Sequence, residues 1–98
     1  MNTLIHHEAK DDMVRVPRTL IEDKTLSSRA KFIFILILAM KEDEPNIRKL
    51  PKLSGLNYGT VLKYLKELEL AGWIERKTIR DERKRIAGVE YVIHYEKA

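Results

Sequence analysis

The strongest periodic signal in the chain runs from Asn57 to Ile74, NYGTVLKYLKELELAGWI. Val61, Leu65 and Leu68 recur at helical spacing and define one buried stripe. Asn57 stands just ahead of it, where its side-chain oxygen suits an N-cap that accepts a bond from an otherwise orphan amide. Gly72 follows the last turn, at the place of a left-handed C-terminal residue, and Trp73 and Ile74 then open a strand. Tyr58, Gly59, Leu62, Lys63 and Lys66 fall off the stripe and are expected to face a partner. Tyr64 lies between the two sides and suits either core or surface.

Upstream, residues 1–12 read as a polar arm and residues 13–98 as one domain. Met13 to Val16 has the composition of a short strand. Pro17 suits the first position of a helical turn through Leu20 and Ile21, where a missing amide costs nothing. Asp23 to Ser28 is a break, with Ser27 or Ser28 placed to cap the next helix. From Arg29 to Lys41 comes RAKFIFILILAMK. Its Ile and Phe content would allow a strand, but its length, the capping serine and the absence of Gly and Pro predict a helix. Ala30, Phe34, Ile37 and Met40 mark one face, and Phe32, Leu36 and Ala39 another, so no solvent face remains in its middle. Two readings stand side by side. The helix is central, with helices on one side and a sheet on the other, or it carries a homodimer seam.

After the acidic bend EDEP, NIRKLPKLSGL predicts a short helix starting near Lys49 to Pro51, with Asn46 to Arg48 extended before it. Pro51 sets that start, because a proline deeper in a helix loses a backbone bond and clashes with the preceding turn. Leu50 and Leu53 are the expected buried positions. Ser54-Gly55-Leu56 forms the turn, and Gly55 suits the positive φ it demands. The chain then closes in a hairpin, Ile74 to Ile79 and Ile86 to Tyr95, with Val89, Tyr91, Ile93 and Tyr95 on one face and DERKR as a polar tip. The order predicts an α+β fold, a winged helix-turn-helix with a three-helix core and a C-terminal β-hairpin wing.

Composition narrows the classes. A chain of 98 residues makes one domain with one small core. The absence of cysteine excludes a disulfide framework and a thiolate metal site. MNTLIHHEAKDD has neither the basic start nor the apolar run of a signal peptide. The longest apolar run, Phe32 to Met40, is about half of the ~20 residues a membrane span needs. A cytoplasmic protein with no membrane contact is expected.

Charge is unevenly placed. The net value is +4, but residues 1–45 carry seven Lys and Arg against eight Asp and Glu, and residues 46–98 carry twelve against seven. RKTIRDERKR, Arg76 to Arg85, alone holds six basic and two acidic residues. Such a patch concentrates the counterion-release term that drives binding to polyphosphate.

KLSGLNYGTVLKYLKELELAGWI, Lys52 to Ile74, resembles the winged helix-turn-helix family in its turn glycine, capping polar residue, Thr-Val pair, Leu-x-x-Leu-Glu and Gly-aromatic-Ile. VPRTLIEDKTLSSRAK, Val16 to Lys31, is similar to the entry of the helix-turn-helix domains of plasmid and phage replication initiators and replisome organisers. The resemblance implies a recognition helix in the major groove of double-stranded DNA and a wing on adjacent phosphate or minor groove. Tyr58, Gly59, Lys63 and Lys66 match the groove-facing positions, and Arg80, Arg83, Lys84 and Arg85 match the wing. Arginine is common where Tyr58 stands, and small polar residues are common at Gly59 and Leu62, so base readout here would lean on shape and apolar contact. Initiators of this type usually carry a further C-terminal domain, and its absence from the sequence favours a small transcriptional regulator or a replication or partition accessory factor of a mobile element.

The expected DNA-contacting set is therefore Asn57, Tyr58, Gly59, Thr60, Lys63 and Lys66 on the recognition helix. Arg76, Lys77, Arg80, Arg83, Lys84 and Arg85 join it on the wing, and Lys49 and Lys52 on the preceding helix meet the backbone. Gly59 lets the first helical turn approach phosphate, whose charge the open amides favour. Lys63 and Lys66 suit phosphate better than bases, because an ammonium lacks the fork that makes arginine selective for guanine. Thr60 more readily supports the turn than contacts DNA. His6 and His7 have no further ligands nearby to make a metal site. His94 alternates out of phase with Val89, Tyr91 and Ile93 and is expected to be exposed. The runs Asp11-Asp12 and Glu42-Asp43-Glu44 converge with no nucleophile or base, so no enzyme, cofactor, metal or small-molecule ligand is expected. Two other functions are compatible with the same residues. One is a protein-interaction module using Tyr58, Leu62 and Leu70, and the other is RNA binding through the basic wing and exposed tyrosines.

Overall fold

The computed structural model describes residues 3–4, 12–40 and 47–96. The histidines His6 and His7, the acidic run Glu42–Glu44 and most of the expected N-terminal arm lie outside them. The described chain is α+β, with four α-helices followed by a two-stranded antiparallel hairpin. Among the described residues no helix is long and apolar enough to cross a membrane.

Helix α1, Arg18–Glu22, begins one place later than expected. Pro17 is its N-cap, and the Leu20 amide donates to the Pro17 carbonyl at 3.1 Å. Leu20 is fully buried. Met13 to Val16 forms no strand. It borders a cleft shared with Leu38, Ala39 and Tyr95, past the last paired residues of the hairpin, so no sheet edge is there to receive it.

Helix α2, Ser28–Ala39, is capped by Ser27, whose Oγ accepts from the Ala30 amide at 3.2 Å. Ala30, Ile33 and Phe34 are buried, and the helix packs on α3 and α4. Its far end faces the hairpin across a cleft of about 370 Å³, lined by Ile37 and Met40 on one side and Val89, Tyr91 and Ile93 on the other.

Ile47–Lys49 is a 3₁₀ turn, which corrects the extended backbone expected at Ile47 and Arg48. The turn winds directly into α3, Leu50–Ser54, and Pro51 falls in the first α-helical turn, where its missing amide has no bond to make. Leu50 is buried as expected, but Leu53 is 54% exposed. In so short a helix the inward line runs Ile47, Leu50, Ser54, and Leu53 rotates off it. Ser54 Oγ accepts from the Leu56 amide at 3.2 Å, so the inward polar group is satisfied.

Gly55 ends α3 at φ 75° and turns the chain into α4, Tyr58–Leu70. Asn57 Oδ1 caps α4 by accepting from the Thr60 amide at 2.8 Å. At the other end Gly72 has φ 87°. The Gly72 amide donates to the Glu69 carbonyl at 3.1 Å and the Trp73 amide to the Leu68 carbonyl at 3.0 Å, which together make a Schellman motif. Leu68 and Trp73 are both buried, supplying the apolar contact that accompanies it.

Strand β1, Ile74–Arg80, pairs with β2, Ile86–Ile93, from Ile74 opposite Ile93 to Ile79 opposite Gly88. Arg80 then pairs with Ile86, so Ala87 is a one-residue bulge. Beyond the last pair, the His94 amide still donates to the Trp73 carbonyl at 3.0 Å, and the strand stops short of Tyr95. The core joins Leu20, α2, Leu50, the inner stripe of α4, Trp73 and Ile74.

Candidate nucleic-acid interface

The phase of α4 is fixed by Val61, Tyr64, Leu65 and Leu68, all buried. Tyr64 is thereby a core residue. The outward positions are those the periodicity predicted. Tyr58 is 48% and Leu62 40% exposed, and Gly59, Lys63 and Lys66 are exposed as well. Thr60 is half-buried and serves the cap through its amide.

Gly59 has no steric reason within the fold. A Cβ built there would meet only Asn57 Oδ1, at the ordinary contact distance of 3.5 Å. Its small size leaves the first turn of α4 open from outside.

The two flanks of α4 are used differently. On one, Glu67 reaches the start of α2: the Ser27 amide donates to Oε2 at 2.7 Å, and Ser27 Oγ lies 2.9 and 3.1 Å from the two carboxylate oxygens. On the other, Tyr58, Leu62 and Lys66 line a cleft of about 470 Å³ with Arg76, Val89 and Tyr91 of the hairpin. Lys66 Nζ is 3.6 Å from Glu69 Oε2, an exposed pair held only weakly. Lys63 Nζ lies 5.7 Å from the centre of the Tyr64 ring, against the rim of the core.

Register divides the basic residues of β1. Successive side chains leave a strand on opposite faces, so Arg76 shares the face of the buried Ile74, and Arg80 follows on that face. Lys77, opposite Glu90, lies on the other face. The structure therefore separates Lys77 from the set with which the sequence grouped it.

The tip is organised by Asp81. Its Oδ1 accepts from the amides of Arg83 and Arg85, both at 2.9 Å, and its Oδ2 lies 3.4 Å from Arg85 Nε. The Asp81 amide donates to the Arg85 carbonyl at 2.8 Å and the Lys84 amide to the Asp81 carbonyl at 2.9 Å. Lys84 takes the left-handed position at φ 62°. Arg80 Nη1 donates to the Lys84 carbonyl at 3.0 Å. Arg83, Lys84 and Arg85 are all exposed around this frame.

Lys49 and Lys52 are exposed on the turn and helix that precede α4. His94 is not the exposed residue expected: its side chain keeps 30% of its surface, and Nε2 lies 3.8 Å from Glu75 Oε2. The additional ladder bond to Trp73 holds it against β1.

Sequence reasoning missed Asp81, Glu67 and Asp23. Asp81 was legible, since aspartate at the first position of a turn bonds the amides that follow. The bond of Asp23 to the Thr25 amide two residues on is likewise a local turn signal, whereas its bond to Trp73 and those of Glu67 to Ser27 join partners far along the chain and left none. Comparison of the chain with family models, with curated proteins and with solved structures finds no match.

Proposed function

We propose that the chain is a winged helix protein that binds double-stranded DNA, with α4 as the recognition helix and the β1–β2 hairpin as the wing. The observation that carries this reading is the cleft in which Tyr58, Leu62 and Lys66 of α4 meet Arg76 of the hairpin. It sets cations from both elements along one side of the molecule, with Arg80 on the same hairpin face and the Arg83–Arg85 tip beyond it. Two converging basic elements, one of them an exposed helix, suit a duplex whose groove admits the helix and whose phosphates meet the rest. The resemblance of the sequence adds the biological setting: regulation of transcription, or an accessory role in replication or partition of a mobile element. Arginine supplies most of the hairpin charge and lysine that of α4, so affinity rests on phosphate and sequence preference on Tyr58, Gly59 and Leu62.

Titration of duplex DNA across a salt series tests the reading. The logarithm of affinity is expected to fall with the logarithm of salt at roughly 0.9 per neutralised phosphate. Replacing Arg83, Lys84 and Arg85 together by alanine should flatten that slope. An unchanged slope would remove the hairpin from the interface.

A second reading has its own observation. Leu70 is 78% exposed on α4, on the same outer side as Leu62 and Tyr58, and these exposed apolar side chains, with Lys66 among them, suit a protein partner. It is favoured if no duplex binds at low salt and Leu70→Ser abolishes capture of a partner protein.

A further inference from the structure

Helix α2 carries a second line, apolar beyond Ser28, on the side turned from its buried Ala30, Ile33 and Phe34. Ala30, Ile33, Phe34 and Ile37 face inward, whereas Ser28, Phe32, Ile35 and Ala39 recur at intervals of four, three and four on the opposite side. That spacing is the seam of a helix pair. Phe32 is 44% exposed and Ala39 is exposed, while Ile35 and the flanking Leu36 and Leu38 are half-buried, packed on the rim of the core with their outer edges open. Of the nine consecutive apolar residues from Phe32 to Met40, Phe32 and Ala39 thus stay exposed among the described residues, on a helix whose core side is already filled.

We propose that this face binds a second copy of the chain, with the two α2 helices antiparallel about a two-fold axis between Ile35 and Leu36. Self-complementarity singles out a second copy. About that axis the large Phe32 of each chain falls opposite the small Ala39 of the partner subunit. Beside Ala39 the surface opens into a cleft of about 600 Å³, lined among others by Met13, Val14, Leu38 and Tyr95, with room for an aromatic ring. Charge agrees with the same orientation. Arg29 stands exposed in the first turn of α2, the positive end of its own helix dipole, and the helix has no basic residue in its last turn. An antiparallel partner sets each Arg29 beside the negative C-terminal end of the other α2. The seam is isologous, so the assembly closes at two. The proposal does not rest on DNA binding, and its test contains no DNA.

Sedimentation of the full chain over a concentration series should show its mass rising from that of one chain to that of two. Phe32→Glu should remain at one chain throughout, with unchanged helical circular dichroism. The native chain has no cysteine, so engineered thiols report orientation directly. A mixture of Phe32→Cys and Ala39→Cys chains should oxidise to a cross-linked dimer, whereas Ala39→Cys alone should not. In the antiparallel pair its two copies lie roughly 10 Å apart along the axis, beyond the ~7 Å a disulfide spans. A native chain that stays single at every concentration overturns the proposal. So does a Phe32→Glu chain that still dimerises, or cross-linking of Ala39→Cys alone as efficient as that of the mixture. If Phe32→Glu fails to fold, the thiol experiment decides.

Discussion

Trp73 Nε1 donates to Asp23 Oδ2 at 2.9 Å, joining the root of the hairpin to the loop before α2 across fifty residues of sequence. The indole is 1% exposed and meets Phe34 edge to face, with ring centres 5.6 Å apart. Asp23 also receives the Thr25 amide at 2.9 Å and the Thr25 hydroxyl at 2.5 Å. Trp73 is thereby fixed from both sides, by an aromatic neighbour from α2 and by a carboxylate that holds its one polar atom. Because β1 starts at the next residue, this anchor sets where the hairpin leaves the core.

Asp23→Ala should cost about 1–3 kcal/mol, the range for leaving a buried donor without its partner. The loss is to be read as a lower urea midpoint with an unchanged m-value. For a domain of this size each kcal/mol corresponds to a fall of roughly 4–8 °C in Tm. DNA affinity measured well below the melting temperature should change little, since Trp73 keeps its packing on Phe34 to hold the hairpin root and no expected contact residue is altered. A variant as stable as the native chain would show that the bonds of Asp23 to Trp73 and Thr25 together contribute nothing net.

Gly59→Ala should move stability and binding in opposite directions. A methyl group at this position meets no obstacle, so the substitution removes the entropic cost of a helical glycine and should stabilise by about 0.5–1 kcal/mol. If the open first turn of α4 is where phosphate or a base edge approaches, the same methyl group should weaken duplex binding. Thermal melts and DNA titration of one protein sample separate the two. A variant more stable and equally tight would place the contact elsewhere on α4.

Arg76→Ala and Lys77→Ala remove one charge each from adjacent residues and should differ. Arg76 lines the cleft with Tyr58 and Lys66, whereas Lys77 shares the opposite hairpin face with Glu90. Loss of Arg76 should weaken binding to all duplexes and lower the salt slope by about 0.9. Loss of Lys77 should leave the slope close to native. Equal effects would mean that the hairpin meets DNA through its tip or edge and not through the face turned to α4.

The parts of this architecture legible in the sequence are those written in local chemistry. Ser27 and Asn57 cap, Gly55 and Gly72 adopt positive φ, and the thirteen-residue α4 has enough turns for its stripe to fix its phase. Leu53 shows the limit: α3 has five residues, and a single turn can rotate to bring the half-buried Ser54 inward in its place. Met13 to Val16 shows another, since β-forming composition makes no strand where no edge is offered. The division of Arg76 from Lys77 needed the observed register, because a charge run has no face until strand pairing gives it one. The exposure of Tyr58, Gly59, Lys63 and Lys66 was legible, while the cleft joining Lys66 to Arg76 came only from the packing of α4 on β1.

Ser27 and Glu67 provide the corresponding test of how α2 is set against α4. Ser27 has two duties, capping α2 through Oγ and donating both its amide and its hydroxyl to Glu67. Glu67→Ala removes both acceptors for these donors, but the site is exposed and water can replace part of them, so about 1 kcal/mol is expected. Ser27→Ala should cost about 0.5–2 kcal/mol through the lost cap, and it leaves the amide-to-carboxylate bond in place. In a double-mutant cycle the coupling should therefore be smaller than the cost of Glu67→Ala alone, since only the hydroxyl bond is shared between the two substitutions. Urea denaturation of the four proteins measures it. A coupling as large as the full Glu67→Ala effect would mean that the hydroxyl carries the whole contact and the 2.7 Å amide bond adds nothing.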